Sequence, residues 1–136
     1  MLLVLDSNEF IFALGNPRKQ SCELLLDKIL DTFPKNTIRI ARIIIEEVKR
    51  NVSPGAFKEF MSLVNTITHI DEDISVPFEL GAQYEALGLK SSDALIGAFV
   101  EWSGAEVLVS ENRHFLNRRT LPFRIINAET CLKLLG

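Results

Sequence analysis

The segment Lys90–Phe115, KSSDALIGAFVEWSGAEVLVSENRHF, constrains the fold more than any other stretch. Ala94, Leu95, Ile96, Ala98, Phe99 and Trp102 fall at helical spacing and give one helix a broad apolar surface. Ser91 or Ser92 is expected to cap it, because a serine oxygen satisfies an orphan N–H of the first turn. Ser103-Gly104 ends it, with Gly104 free to take a left-handed conformation. Val107-Leu108-Val109 then suits a buried strand. Two carboxylates bracket the unit: Asp93 at the helix start and Glu111 just past the strand. A helix start is electrostatically favourable for an acid. The carboxyl end of a strand is where open α/β sheets hold their ligands.

The rest of the chain supplies neighbours for this unit. Met1–Leu5 is a continuous apolar run of strand length, and it ends at Asp6-Ser7-Asn8. A short apolar segment, Phe10–Leu14, follows, and then the turn signal Gly15-Asn16-Pro17. Pro17–Asp31 has helical periodicity, with Cys22, Leu25, Leu26, Ile29 and Leu30 on one side. Thr37–Ala41 reads as a second strand and IIIEEVKR as a helix. Ser53-Pro54 opens another helix, whose buried face is Phe57, Phe60, Met61 and Val64. Thr66–Ile70 reads as a short strand, Asp71–Asp73 as an exposed acidic loop, and Pro77–Leu87 as a helix closed by Gly88. His114–Arg119 reads as a helical turn, Arg124–Ile126 as a last strand, and Ala128–Leu135 as a final helix capped by Asn127. Such alternation implies a three-layer α/β/α arrangement over residues 1–136, with a central, mostly parallel sheet of four to five strands. No glycine-rich phosphate loop follows Leu5, which excludes dinucleotide-binding and P-loop motifs.

A length of 136 residues is that of one domain. The net charge of −3 supplies no overall attraction to polyanions, so nucleic-acid contact requires a local basic cluster. No apolar run is long enough to span a bilayer, and Met1–Leu5 lacks the basic flank of a signal peptide. Cys22 and Cys131 match no metal or redox spacing and read as reduced core residues. The expected location is cytoplasmic, with no membrane partner.

Four acids occupy matching places. Asp6 and Glu111 follow strand ends, and Glu47 and Asp93 lie on helices able to lean over the same sheet edge. Spacing separates Glu47 from its neighbour. Glu46 has Arg42, Lys49 and Arg50 within helical reach, an environment for exposed ion pairing, whereas Glu47 lies on the Ile43/Ile44 side. Oxygen ligands without a histidine or cysteine cluster point to a hard cation, Mg²⁺ or Mn²⁺. Such an ion explains why mutually repelling carboxylates share an edge, and it suits hydrolysis of a phosphodiester.

With those residues, the chain resembles the PIN domain, the metal-dependent ribonuclease fold also used by VapC-type toxins of toxin–antitoxin pairs. The resemblance spans essentially the whole chain. It is carried by VLDSN with Asp6, IIIEEVKR with Glu47, SSDALIGAF with Asp93, and SENRHF from Ser110 to Phe115. It implies an endoribonuclease in which Asp6, Glu47 and Asp93 bind metal while Ser7 and Ser110 share the pocket. It also implies an antitoxin protein and a homodimer as partners. The SENRHF segment departs from the commonest toxin pattern, in which aspartates follow the Ser or Thr. Here Glu111, or the neutral oxygen of Asn112, stands in that place.

Lys49, Arg50, Arg113, Arg118 and Arg119 are candidate contacts to RNA phosphates, or else solvated helix ends. His114 reads as a loop histidine rather than a general base, and Asp71-Glu72-Asp73 as a solvated run rather than a metal site. The altered SENRHF region keeps a second function open, a PIN-fold RNA-binding module with weak or no catalysis. A receiver-like phosphorylation domain also gathers acids at strand ends, but this chain lacks paired acids directly after the first strand.

Overall fold

The first apolar run forms β1 (Leu2–Leu5), in which Leu3, Val4 and Leu5 have no exposed surface. The computed structural model describes residues 1–118 and 120–136. With β2 (Thr37–Ala41), β3 (Ile70–Asp71), β4 (Val107–Val109) and β5 (Arg124–Ile126), β1 builds one five-stranded sheet in the order β3-β2-β1-β4-β5. All four pairings are parallel. The helices among the described residues are α1 (Ser7–Leu14), α2 (Gln20–Thr32), α3 (Arg42–Asn51), α4 (Pro54–Ile67), α5 (Phe78–Ala86), α6 (Ser91–Ser103), α7 (Arg113–Leu116) and α8 (Ala128–Leu135). α1 packs on α2, α3 and α4, α2 packs on α8, and α5 packs on α6. The result is the expected three-layer α/β/α fold, with a sheet that is parallel throughout. No helix among the described residues is long and apolar enough to cross a membrane.

The strand order positions the site. The chain runs outward from β1 to β2 to β3, then returns to lay β4 on the other side of β1. β1 and β4 therefore diverge in connection while their ends stay in register, Leu5 beside Val109. Outside the carboxyl ends of two such strands an open sheet leaves a crevice.

Four local expectations change. Residues 7–14 form a helix because Asp6 caps it and Phe10 and Ala13, three apart, share its buried face. α4 runs through Ile67 because Phe60, Val64 and Ile67 continue one buried stripe, so β3 holds only Ile70 and Asp71. α6 is preceded by Lys90 with no side-chain cap, and Ser91 is already helical, whereas Gly104 takes the expected left-handed φ of 75°. The acidic run is exposed only at Glu72. Asp71 is only 8% exposed, and Arg39 donates to both of its oxygens, at 2.6 and 3.0 Å. Arg42 turns to Glu72, at 2.6 Å, rather than pairing with Glu46, and Asp73 Oδ1 accepts from the Ile43 N–H at the start of α3. Parallel pairing of Ala41 with Asp71 sets these acids against that helix start.

Gly97 in α6 is fixed by close approach. A Cβ there would stand 2.7 Å from Cδ2 of Tyr84 in α5. Tyr84 is 2% exposed, and its hydroxyl donates to Glu101 at 2.8 Å, so its ring has little room to yield. Gly97→Ala should therefore lower unfolding free energy by about 1–3 kcal/mol in chemical denaturation. That loss outweighs the ~1 kcal/mol by which alanine favours a helix over glycine.

Candidate active site

Asp6 stands where β1 becomes α1, at the mouth of the crevice. Its backbone N–H donates to the Val109 carbonyl, which ties it to the end of β4. Its Oδ1 accepts from the Ser7 N–H at 2.8 Å, and its Oδ2 from the Ser110 hydroxyl at 2.7 Å. Asp6 is 4% exposed, Ser7 7% and Ser110 fully buried. Burial raises the Asp6 pKa above its ordinary value. The Ser110 and Ser7 hydrogen bonds oppose that rise, and the negative charge of Asp93 adds to it.

Glu47 lies on the inner side of α3, one turn after the buried Ile44, while Glu46 faces solvent. Its Oε1 is buried without a hydrogen-bond partner. Burial, then the charges of Asp6 and Asp93, push its pKa up to about 7, and Arg50 partly opposes them. Asp93 sits in the first turn of α6. Burial raises its pKa, and His114 and Lys90 oppose the rise. Asp6, Glu47 and Asp93 thus lie within electrostatic reach of one another, drawn from β1, α3 and α6. Their oxygens do not close to within 4.8 Å as a set.

Glu111 follows a different course. Its Oε1 accepts from Lys19 Nζ at 2.6 Å, and its Oε2 from the Ala128 N–H at 3.0 Å, at the start of α8. Both oxygens are engaged away from the three acids. Burial raises its pKa, but hydrogen bonds from the Glu9 carboxyl, Lys19 and the Ala128 N–H together hold it below the usual glutamate value. Asn112 Oδ1 caps α7 by accepting from the His114 N–H, and the Asn112 N–H donates to Ser110 Oγ at 3.0 Å. Ser110 therefore couples the loop after β4 to Asp6. Ser110→Ala would strip Asp6 of its hydroxyl donor and orphan the Asn112 N–H. It should cost about 1–3 kcal/mol on denaturation and move the Asp6 carboxyl titration, followed by NMR, to higher pH.

Among the basic candidates, Lys49, Arg50 and Arg113 are exposed. Arg118 is committed to the fold, donating to the Leu87 carbonyl at 2.8 Å. Arg119 lies outside the described residues. An apolar groove lined by Ile74, Val76, Pro77, Phe78 and Leu95 also opens on the surface, but none of the three acids lines it.

Glu9 and Lys19 were missed from sequence. Glu9 is fully buried, although Asp6-x-x-Glu9 has the spacing of a helix capping box. That signal points to the wrong role, because the Asp6 N–H is already taken by β4 and the Glu9 carboxyl turns towards α2.

No family model matches the chain, and no curated protein matches it. Solved structures do. The VapBC2 structure from Rickettsia felis, bound to a DNA fragment from the promoter, aligns with a TM-score of 0.63 at 22% identity over 93% of this chain and 98% of that one. The chain has the PIN fold. VapBC-1 from nontypeable Haemophilus influenzae aligns with a TM-score of 0.62 at 15% identity, covering 95% of this chain and 99% of the other. Mycobacterium tuberculosis VapC20, a toxin that cleaves the sarcin–ricin loop, aligns with a TM-score of 0.54 at 18% identity over 78% and 86% of the two chains. Across the PIN fold the charges of Asp6, Glu47 and Asp93, far apart in sequence, act on one another.

Proposed function

We propose that this chain is a metal-dependent endoribonuclease of the VapC type, the toxin of a toxin–antitoxin pair. The observation that carries this reading is the buried Glu47 oxygen with no partner, set within the fields of Asp6 and Asp93. An unsatisfied buried carboxylate oxygen is costly unless a cation or proton completes it. The donor set is all carboxylate, which fits Mg²⁺ or Mn²⁺. Mg²⁺ keeps several waters and takes one or two carboxylates directly, so three acids spread around a crevice suit it. Asp6, Glu47 and Asp93 would hold the ion, which would supply a more acidic bound water and offset charge on the phosphodiester.

The protein's own groups do the positioning. Ser110 and the Ser7 N–H fix both oxygens of Asp6. Without an ion the Glu47 carboxyl is pushed up to about 7, so a proton or a cation completes its buried oxygen. Arg50 lies close enough to influence Glu47, and it is exposed, so it can hold an RNA phosphate beside the acids. Lys49 and Arg113 extend that surface. Glu111 is left out of this metal set, because Lys19 and α8 already occupy it.

That omission favours the second reading, a PIN-fold RNA-binding module with little turnover. One experiment separates the two. Purified protein is incubated with a mixed RNA pool in Mn²⁺, with and without EDTA. Internal cleavage that EDTA stops supports the nuclease. RNA retention without cleavage supports the module. By the same likeness, a small antitoxin and a second copy of the chain are the partners proposed.

A further inference from the structure

Behind the crevice, α1, α2 and the loop after β4 enclose a second group of chemistry-bearing side chains that the proposed nuclease reaction does not use. Glu9, Cys22 and Glu111 each place one ligand atom within 4.8 Å of the others, and they form the one such set found among the described residues. Cys22 Sγ lies 3.5 Å from Glu9 Oε1. Glu9 and Cys22 are both fully buried. Glu9 Oε2 is buried without a hydrogen-bond donor from another residue. Lys19, half exposed, lies over the remaining acid with its ammonium 2.6 Å from Glu111.

We infer that Glu9, Cys22 and Glu111 form a binding site for a borderline-soft divalent cation such as Zn²⁺ or Co²⁺, separate from the Asp6–Glu47–Asp93 crevice. The sulfur sets the selectivity. Cysteine and carboxylate together suit Zn²⁺ and Co²⁺, whereas Mg²⁺ and Mn²⁺ prefer oxygen alone. A fully buried carboxylate needs a cation or a proton to complete it, and Glu9 Oε2 has no donor from another residue. Without an ion, a proton takes its place. Burial and the hydrogen bond with Glu111 push the Glu9 pKa up to about 10, and burial pushes the Cys22 thiol well above its ordinary value.

Binding is therefore a proton exchange. The ion replaces the thiol proton of Cys22 and the carboxyl proton of Glu9, and both protons leave to solvent. Lys19 keeps its proton and swings outward if the ion takes Glu111 Oε1, the oxygen that its ammonium holds. Cys131 of α8 senses the charge of Glu9, so it is the nearest competing thiol. Glu111, which sequence places with the nuclease acids, belongs to this second site.

Co²⁺ titration tests the site through its spectrum, independently of RNA cleavage. The wild-type protein should develop a thiolate-to-cobalt charge-transfer absorption and release two protons per ion in weakly buffered solution. Cys22→Ser should lose the absorption, and Cys131→Ser should keep it. Glu9→Gln should weaken binding at least ~10-fold, the lower scale for disturbing a metal site. Lys19→Met, which removes the competing ammonium and does not depend on a core substitution, should tighten binding. Asp93→Asn should leave the absorption unchanged, so an inactive nuclease and an absent second site give different results. No absorption in either the wild type or Lys19→Met, or an absorption that survives Cys22→Ser, would overturn the proposal.

Discussion

Asp93→Asn is expected to remove Mn²⁺-dependent RNA cleavage while leaving the fold in place. Asp93 lies in the first turn of α6, whose buried face is made by Ala94, Ile96, Gly97, Ala98, Phe99 and Val100. The amide keeps the size of the carboxylate and disturbs none of that packing. What disappears is one of three negative charges at the crevice. Disturbing a group that merely orients a metal ligand costs about 10–100-fold, so loss of a proposed ligand should exceed 100-fold. Asp6→Asn should behave alike, because an amide oxygen can still accept from the Ser7 N–H and keep the cap of α1. Initial cleavage rates across a Mn²⁺ titration, with circular dichroism of each variant, measure both halves of the expectation. Wild-type rates in both variants would remove the nuclease assignment.

Glu47→Gln should have the opposite signature in stability. Burial and the charges of Asp6 and Asp93 raise the Glu47 pKa from 4.5 to about 7. The unfolded chain loses this proton near 4.5, and the folded chain holds it until about 7. Its contribution to stability is thus fully present below 4.5 and is lost as pH rises through about 7. Glutamine carries no such titration. In metal-free buffer the variant should match the wild type at acid pH and exceed it by about 1–3 kcal/mol at alkaline pH. Metal reverses the order. A cation that binds the folded wild type adds about 2.7 kcal/mol at a hundredfold excess over its Kd, and the variant should lose most of that gain. Thermal unfolding over a pH series, with and without Mn²⁺, reads both effects. Identical pH profiles for the two proteins would show that Glu47 carries no unfavourable burial and would remove the main support for a metal at the crevice.

These two responses distinguish functional acids from structural ones. Asp71 is buried like Asp6, at 8% against 4% exposure, yet Arg39 donates to both its oxygens, so it has no unmet need for an ion. Glu111 is engaged by Lys19 and the start of α8, so it has no unmet need at the crevice. Glu47 has no such partner for its buried oxygen. Glu9 Oε2 is unpartnered too, but only Glu47 combines an unmet need with the fields of Asp6 and Asp93.

Local pattern carried much of the fold. The run Met1–Leu5 is a strand from Leu2, the segments Thr37–Ala41, Val107–Val109 and Arg124–Ile126 are strands at those bounds, and their alternation with amphipathic helices dictates a parallel sheet. The placement of Asp6 past a strand end, Glu47 on the inner side of α3 and Asp93 in the first turn of α6 was also legible. A carboxylate closing an apolar strand, or facing inward on a helix, conflicts with its surroundings, and that conflict is visible in sequence. Tertiary structure decided the rest. The strand order β3-β2-β1-β4-β5 places Ser110 against Asp6 across more than a hundred residues. The same packing turns Glu111 away to Lys19 and buries Glu9 beside Cys22. No spacing rule encodes those choices. They depend on which neighbour reaches a side chain first in three dimensions, and for a carboxylate leaving water the partner it meets fixes both its charge and its role.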